Sequence, residues 1–283
     1  MQFLLSELND SVLEQFKRIH TWHTIALVRV KSDQSKENIF GSGTLVSLDG
    51  EYGILTASHV TKDMEDMNEV GFCVGKLCHR LVIKRQHLSI LYVGWCGKTT
   101  DIGPDISLVL IPTSEIGMIQ AYKSFYPLDP SLENKVTESD SLDMDPYLIS
   151  GYIGKWTIPK PQNGAFAGSH GLRPFIGIAE SIENYSVRSD HDYCTVTVQY
   201  DLDNGNPEDF KGFSGAGLWK GRLYRDAENE IHVDDFNLNG VAYYQTPIEC
   251  KSRKIICHAH RSISTTASYW KKHIGKDRCQ PSK

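Results

Sequence analysis

The first part of the chain has the apolar spacing of an amphipathic helix. Between residues 3 and 19, Leu, Val, Phe and Ile recur at intervals of three and four, with acidic and basic residues between them. This period places the apolar side chains on one face of a helix, and that face must pack against the rest of the protein. We therefore predict one N-terminal amphipathic helix within residues 1–23.

From Thr24 onward the pattern changes to short β-rich segments separated by Gly, Asp and Asn. That arrangement is typical of strands joined by turns. About six segments fall within residues 24–128, and about six more within residues 147–263. We predict that each block forms one β-barrel. The clearest segments are 25–30, 43–47, 53–56, 81–84, 90–93 and 106–111, then 147–149, 176–180, 194–200, 217–219, 231–233 and 239–244.

Residues 129–146 separate the two blocks and have a different composition. They are acidic, rich in Ser, Asp and Pro, and show little periodicity, so we predict a linker. A helical pattern returns at Ser264, which predicts a C-terminal helix and tail over residues 264–283. Together these elements predict an all-β fold with flanking N-terminal and C-terminal helices, arranged as a double six-stranded β-barrel.

Composition and charge narrow the classes of partner. The 283 residues include 30 basic and 35 acidic side chains, which gives a net charge of −5. A protein that binds nucleic acid usually carries a basic face, so we predict no nucleic-acid partner. No apolar run approaches the roughly 20 residues that cross a bilayer, so we predict no membrane partner either.

The cysteines and the first residues predict the compartment. Seven cysteines form an odd set, which does not suggest a disulfide framework in a chain of this length. The first residues lack a basic region and a small-residue cleavage site, and Glu7 and Asp10 interrupt their apolar character. We therefore expect reduced thiols and a cytoplasmic protein.

Three short motifs carry the candidate chemistry. The segment 53–60 ends a strand in a small-residue turn that contains His59. Asp105 directly precedes a strongly apolar strand at 106–111; Asp101 lies nearby but does not adjoin that strand. Ser214 follows Phe213 and lies between glycines, which allow a tight backbone turn with outward-facing amides.

These motifs resemble those of the trypsin-like serine peptidases, which have the chymotrypsin fold. The order His59, Asp105 and Ser214 is the order of that family and differs from other triad folds. The resemblance spans roughly residues 24–265 and implies a double β-barrel of chymotrypsin type. It points to the disulfide-free bacterial and intracellular branch, because Val60 stands where secreted members usually have a cysteine.

The resemblance also implies a role for each residue. His59 would act as the general base, Asp105 would orient its ring, and Ser214 would be the nucleophile. The main-chain amides of Gly212 and Ser214 would form the oxyanion hole. Phe213 replaces the acid that pairs with a new N-terminus in secreted trypsins, so we expect no activation by N-terminal insertion.

The resemblance also suggests which residues would line the substrate pocket. The position about six residues before the nucleophile is Glu208, with Asp209 beside it, and a carboxylate in that pocket would select Lys or Arg. Alternatively, both acids belong to a solvated loop. Tyr243 and Tyr244 would lie on the strand that pairs with the substrate backbone.

Residues with metal-binding side chains occur in two other places, but neither has the paired spacing of a structural zinc site. These are His20 with His23, and Cys250 with the segment 257–260. We therefore predict no metal and no other cofactor.

The sequence thus predicts a serine endopeptidase that hydrolyses peptide bonds through an acyl-enzyme. Its substrate would be a protein or peptide, cleaved at limited sites in a specific protein partner, and an activating or regulatory protein partner is compatible with the sequence. Two alternatives remain open at this stage. One is a catalytically silent binding scaffold with the same fold, and the other is an esterase.

Overall fold

The computed structural model describes residues 8–30, 38–74, 80–94, 104–128, 146–159, 170–179, 182–198, 200–201, 210–246 and 254–274. Within these stretches the chain forms four α-helices and sixteen β-strands. The helices are α1 (Asp10–His23), α2 (Ser58–Glu65), α3 (Thr113–Gln120) and α4 (His260–His273). The strands are β1 (Thr24–Arg29), β2 (Asn38–Leu48), β3 (Glu51–Thr56), β4 (Glu69–Cys73), β5 (Arg80–Lys84), β6 (Ser89–Gly94), β7 (Ile106–Leu110), β8 (Tyr126–Pro127), β9 (Tyr147–Pro159), β10 (His170–Ala179), β11 (Ile182–Arg188), β12 (His191–Thr197), β13 (Tyr200–Asp201), β14 (Gly217–Arg225), β15 (Ile231–Gln245) and β16 (Lys254–His258).

The first eight strands form one sheet, in the order β5-β4-β1-β2-β3-β7-β6, with β8 parallel to β2. The hairpin between β2 and β3 turns at Asp49 and Gly50, whose φ angles are 48° and 82°. Two consecutive residues with positive φ suit the twist of a tight hairpin. The resulting register places Thr44 opposite Leu55. Strand β3 therefore ends close to the second sheet, and α2 begins directly behind it.

The other eight strands form the second sheet, in the order β11-β12-β16-β15-β14-β9-β10-β13. Its neighbouring strands are antiparallel, and the long hairpin of β14 and β15 contains two shifts of register. Such bulges bend and twist strands and help a sheet to curl. Strand β16 lies between β12 and β15, so its residues are paired on both sides.

Buried apolar side chains form three main clusters. One packs against the first sheet, one packs against the second, and the third joins the two sheets to α1 and α4. The first sheet contributes Ile25, Leu45, Ile54, Phe72 and Val109, among others. The second contributes Ile149, Phe175, Val196, Phe213 and Leu218. The joining group includes Phe16, Val46, Leu108, Trp219 and Trp270.

Helix α1 is built into this joining group. Val12 and Phe16 are fully buried, and the Phe16 ring meets the Phe236 ring edge to face at 5.4 Å. The N-cap residue Asn9 accepts a hydrogen bond from the Val12 amide and donates one to the Ile231 carbonyl. A capping side chain that also bonds another strand fixes the entry of the helix. The sequence prediction of an amphipathic packed helix is thereby confirmed for residues 10–23.

The predicted fold class is confirmed: two antiparallel sheets with N-terminal and C-terminal helices, as in a double β-barrel of chymotrypsin type. Each sheet contains eight strands among the described residues, rather than six. Strands β4 and β8 have no clear alternation of apolar and polar residues, and β15 is one strand where the sequence suggested two. Helices α2 and α3 were not predicted, and α4 begins before Ser264. Of the predicted linker, residues 129–145 lie outside the described residues.

Two further findings concern the expected compartment and thiols. Across the described stretches, no helix is both long enough and apolar enough to span a membrane. The described cysteines, Cys73, Cys194 and Cys257, are buried.

Candidate active site

Strand pairing brings His59 and Asp105 together. Thr56 at the end of β3 lies opposite Ser107 of β7, so the residues just beyond each strand end become neighbours. His59 is the second residue of α2, and Asp105 immediately precedes β7. The main-chain amide of His59 donates to Asp105 Oδ1 at 2.9 Å, and His59 Nδ1 lies 2.6 Å from Asp105 Oδ2.

The Asp105 carboxylate fixes the state of the His59 ring. An ionised carboxylate only accepts hydrogen bonds, so Nδ1 carries the proton and Nε2 of the neutral ring is free to accept one. Burial of the Asp105 carboxyl raises its pKa, but the hydrogen bonds from His59 outweigh this, and the pKa is lowered overall. Asp105 therefore stays ionised at neutral pH, and the His59 side chain, 43% exposed, faces an accessible surface.

A second histidine holds Asp105 from the other sheet. The main-chain amide of Asp105 donates to His258 Nε2 at 2.9 Å. His258 ends β16 and is fully buried. Its ring stacks on Tyr243, with centroids 4.5 Å apart, and contacts Tyr193 at 5.0 Å. The position of Asp105 is thus set by both sheets.

Ser214 reaches the same place through a tight turn. Its carbonyl accepts from the Ser42 amide at 2.8 Å, and the next amide, of Gly215, donates to the Ala242 carbonyl at 2.7 Å. Gly215 has a φ of 90°, and a Cβ atom there would overlap the Ser42 carbonyl and the Thr56 hydroxyl. Only glycine allows this approach. Ser214 consequently lies beside the end of β3, from which α2 and His59 start.

The described hydrogen bonds do not include one between the His59 ring and the Ser214 hydroxyl. A long or absent contact between base and nucleophile is common before substrate binds. Ser214 itself is half-buried, and its side chain is accessible from outside.

Two amides of the turn have no protein acceptor among the described residues. The Lys211 carbonyl accepts from the Gly154 amide, and the Phe213 carbonyl accepts from the Ala216 amide, both at 2.9 Å. Because a trans peptide directs its N–H opposite to its C=O, the amides of Gly212 and Ser214 point the other way. Within the described chain these two amides donate to no protein acceptor. Two such donors beside a serine can bind a negatively charged oxygen.

Buried aromatic packing and a hydrogen bond from Ser42 hold the turn. Phe213 is 2% exposed, and its ring meets Phe175 and Phe210 edge to face at 5.4 Å each. Gly212 has a φ of 89°, and the Ser42 hydroxyl donates to its carbonyl at 2.9 Å. The Phe213 ring and the Ser42 hydroxyl therefore fix the conformation of the turn.

The predicted substrate-binding residues are only partly described. Glu208 and Asp209 lie outside the described residues. Tyr243 and Tyr244 lie near the end of β15, beyond the pairing of Gly217 with Val241, where β14 no longer runs beside β15. Tyr244 is 58% exposed, whereas Tyr243 stacks on His258 and burial raises its pKa. Tyr244 can contact a bound ligand, and Tyr243 supports the site from behind.

The cysteine and histidine segment does not assemble a metal site within the described residues. Cys257 lies opposite Cys194 in the pairing of β12 with β16, and both are buried among apolar side chains. His258 instead bonds the Asp105 amide. Successive residues of a strand point to opposite faces, which separates these two side chains. Cys250 lies outside the described residues.

The two histidines of α1 also have other surroundings. His20 is buried against the Tyr152 ring, and desolvation together with the nearby Lys123 charge lowers its pKa far below the usual value. His23 Nδ1 lies 2.8 Å from the Ser124 carbonyl. Their side chains therefore serve in packing and loop contacts.

One cluster with metal-ligand chemistry lies at the tip of the β14–β15 hairpin and was not recognised in the sequence. Side-chain atoms of Asp226, Glu230 and His232 lie within 4.8 Å of one another. The Asp226 carboxylate, however, already accepts from the amides of Glu228 and Glu230 and contacts His232 Nε2 at 2.6 Å. These bonds explain the cluster as the closure of the hairpin turn.

Two residues that hold the site were not identified as such from the sequence. Ser42 lies between Gly41 and Gly43, and that spacing is a signal of close backbone approach. His258 was considered only as a metal ligand. Its actual contact crosses between sheets, and no local pattern reveals it.

No family model matches the sequence, and no curated protein matches it. Among solved structures, the chain is similar to one described as "Aromatic interactions drive the coupled folding and binding of the intrinsically disordered Sesbania mosaic virus VPg protein". The similarity covers 82% of this chain and 85% of that chain, with 17% identity and a TM-score of 0.38. At these values the likeness carries no argument about function.

Proposed function

We propose that this protein is a serine endopeptidase of the trypsin-like type, from the disulfide-free branch of that family. The observation that carries the proposal is the pairing of His59 with Asp105 through both ring and main chain, beside the glycine-flanked turn of Ser214. An activated serine needs a base whose tautomer is fixed by a third group. The pairing of His59 with Asp105 supplies that base.

In the proposed reaction His59 Nε2 removes the proton of the Ser214 hydroxyl as its oxygen attacks the scissile carbonyl. The resulting tetrahedral oxyanion accepts hydrogen bonds from the amides of Gly212 and Ser214. One such donor is worth about 3 to 4 kcal/mol in other enzymes. The protonated His59 then gives its proton to the leaving amine, and an acyl-enzyme remains. Water, deprotonated by His59, releases the acyl group and regenerates the serine.

The proposed substrate is an extended segment of a specific protein partner, cleaved at limited sites. The end of β15 at Tyr244 supports this, because β14 no longer runs beside it there. An extended peptide can add to such a strand end through main-chain hydrogen bonds. Glu208 and Asp209 are proposed to favour Lys or Arg before the cleaved bond, since a basic side chain relieves the cost of a partly buried carboxylate.

The proposed enzyme acts without removal of an N-terminal segment. The Ser214 turn is stabilised by the buried Phe213 ring and by Ser42, rather than by a new N-terminus. We further propose that a protein partner regulates access to the cleft. No metal or other cofactor takes part in this proposal, and a cytoplasmic location remains part of it.

A fluorophosphonate probe tests the proposal directly. We expect intact-mass analysis of the full-length protein to show one added label, located on Ser214 by peptide mapping. Ser214→Ala and His59→Ala should abolish the label, whereas Ser114→Ala, at an exposed serine of α3, should retain it. A folded wild-type protein that stays unlabelled with and without candidate partners would contradict the enzyme and favour the silent scaffold. A labelled protein that hydrolyses only ester substrates would favour the esterase.

A further inference from the structure

The proposed reaction gives no role to the hydrogen bond between the Asp105 amide and His258 Nε2. It joins the second sheet to the residue that orients His59. Among the described side chains, His258 is the one that bonds the main chain of Asp105. Burying the polar imidazole ring of His258 costs free energy unless the ring is hydrogen-bonded.

The contact defines the state of the His258 ring. Because a main-chain N–H donates to Nε2, that nitrogen has no proton, and the neutral ring carries its proton on Nδ1. Nδ1 is buried without a well-formed hydrogen bond to the described residues, and the Asp192 main-chain carbonyl lies near enough to raise the pKa of the ring. Nε2, by contrast, has a well-formed hydrogen bond from the Asp105 amide. A purely apolar ring would fill the same space but could not accept from that amide.

The surroundings of His258 keep its ring from turning. Tyr243 stacks on one side at 4.5 Å with an interplanar angle of 25°, and Tyr193 contacts it at 5.0 Å. The backbone of His258 is paired with Tyr193 of β12 and with Val241 of β15. The acceptor nitrogen is consequently fixed in the second sheet.

The groups that face the His258 ring favour its neutral form. Burial lowers the pKa of His258 to about 4, against the opposing charges of Asp105 and Asp192. The nearby His191 lowers it further, and the Asp192 main-chain carbonyl raises it. The acceptor nitrogen therefore stays unprotonated throughout the neutral range.

We infer that His258 is a positioning residue, which holds the Asp105 main chain so that its carboxylate meets both the ring and the amide of His59. This inference deepens the proposed function and rests on it for its catalytic consequence. Fixing the Asp105 amide restricts where its carboxylate can lie, because only two rotatable bonds separate the carboxylate from the main chain, and the hydrogen bonds with His59 then select its direction. A shift of about 1 Å in such a group can cost on the order of a hundredfold in rate.

Three variants test the inference. His258→Phe keeps a flat ring between the tyrosines and removes the acceptor, while His258→Gln restores an acceptor oxygen near the position of Nε2. His191→Phe is the matched control, because His191 is also buried, with an unpaired Nδ1, but contacts His258 only through its ring edge, at 6.4 Å. Circular dichroism and thermal unfolding establish that each variant folds.

The first readout is independent of catalysis. Nitrogen chemical shifts of the His59 ring report which nitrogen carries the proton. We expect the Nδ1-protonated form in the wild type, in His258→Gln and in His191→Phe. In His258→Phe we expect a shift toward the Nε2-protonated form, because the carboxylate no longer holds Nδ1–H.

The second readout is the rate of fluorophosphonate labelling. We expect the maximal rate to fall about tenfold to a hundredfold in His258→Phe, with an unchanged half-saturating probe concentration, and to recover in His258→Gln. A folded His258→Phe protein with the wild-type tautomer and rate would overturn the inference, as would a folded His258→Gln protein that matches His258→Phe. If the wild type does not label, the proposed function fails, and the tautomer still decides whether His258 positions Asp105.

Discussion

The Ser42 hydroxyl, carried by the first sheet, donates a hydrogen bond of 2.9 Å to the main-chain carbonyl of Gly212 in the second. The same hydroxyl accepts from the Tyr152 amide, also at 2.9 Å, and the Ser42 amide donates to the Ser214 carbonyl. One buried serine therefore holds both ends of the turn whose amides would bind an oxyanion.

Ser42→Ala should lower the stability of the protein and also slow the labelling of Ser214. The substitution leaves the Gly212 carbonyl and the Tyr152 amide without their buried partner, at a cost of about 1 to 3 kcal/mol in the free energy of unfolding. We expect the labelling rate to fall about tenfold or more, because the outward amides lose their fixed direction. Urea unfolding and labelling kinetics measure the two effects.

Thr24→Val is the matched control for that experiment. Thr24 and Ser150 form a buried hydroxyl pair between the sheets, at 2.8 Å, and among the described residues neither hydroxyl bonds the turn. This variant should lose stability by a similar amount and keep the wild-type labelling rate. Equal losses of rate in both variants would show that Ser42 acts through general stability alone.

Removing residues 1–23 should destroy the fold rather than activate the protein. Val12 and Phe16 are fully buried, and their loss would leave an exposed apolar surface on both sheets. Phe16→Ala alone should cost about 3 to 5 kcal/mol in the free energy of unfolding. Glu14→Ala, on the exposed side of the same helix, should cost little. Labelling that appears only after proteolytic removal of α1 would instead identify the helix as an inhibitory segment.

The stability of the protein should fall as pH decreases from about 6.5 toward 4. The pKa of His258 is about 4 when folded and 6.5 by reference, so unfolding takes up a proton between these values. Stability from this group is therefore complete above pH 6.5 and lost on acidification. It should decrease by about 2 kcal/mol between about pH 7 and about pH 5. His20, His23 and His191, whose pKa values burial also lowers, act in the same direction.

Urea unfolding of the wild type and of His258→Phe at these two pH values separates the contributions. The variant should lose less stability on acidification, because it lacks one of the four groups. An identical pH dependence in both proteins would contradict the buried neutral state of His258.

Cleavage specificity tests the acidic pocket. We expect a peptide library to show preference for Lys or Arg before the cleaved bond, and the double variant Glu208→Gln, Asp209→Asn to lose it, because the pocket loses its negative charge. Glu228→Gln, at an exposed acid of the β14–β15 hairpin, is the control. Cleavage after Leu, Ala or Phe, or an unchanged preference in the double variant, would remove these acids from the pocket.

The sequence predicted those helices and strands whose residues form a clear helical or β-rich pattern. The helical period of residues 10–23 and the short apolar, β-rich runs of β1, β3 and β7 were readable in the sequence, and all appear in the structure. Helix α3 was not, because it buries only Ile116 and Ile119 and contains Gly117. Strand β15 seemed to be two strands, because its bulges interrupt the alternation over 234–238.

In the candidate site, too, short motifs revealed some residues and missed others. His59, Asp105 and Ser214 stand in short motifs whose order is informative. Two contacts join residues that are far apart in the chain, namely Ser42 with Gly212 and His258 with Asp105. The sequence around one residue of each pair therefore contains no pattern that points to the other residue. Only the packing of one sheet against the other makes these contacts visible.

Each of these two contacts holds a part of the site with a residue from the opposite sheet, and this affects how the site assembles. Asp105 belongs to the first sheet and is held by His258 of the second, while the Ser214 turn belongs to the second and is held by Ser42 of the first. Each half therefore lacks one of its holding contacts until the other half is present. A nascent chain that has not yet supplied His258 lacks the contact that holds the Asp105 amide, and any later separation of the sheets breaks both contacts at once.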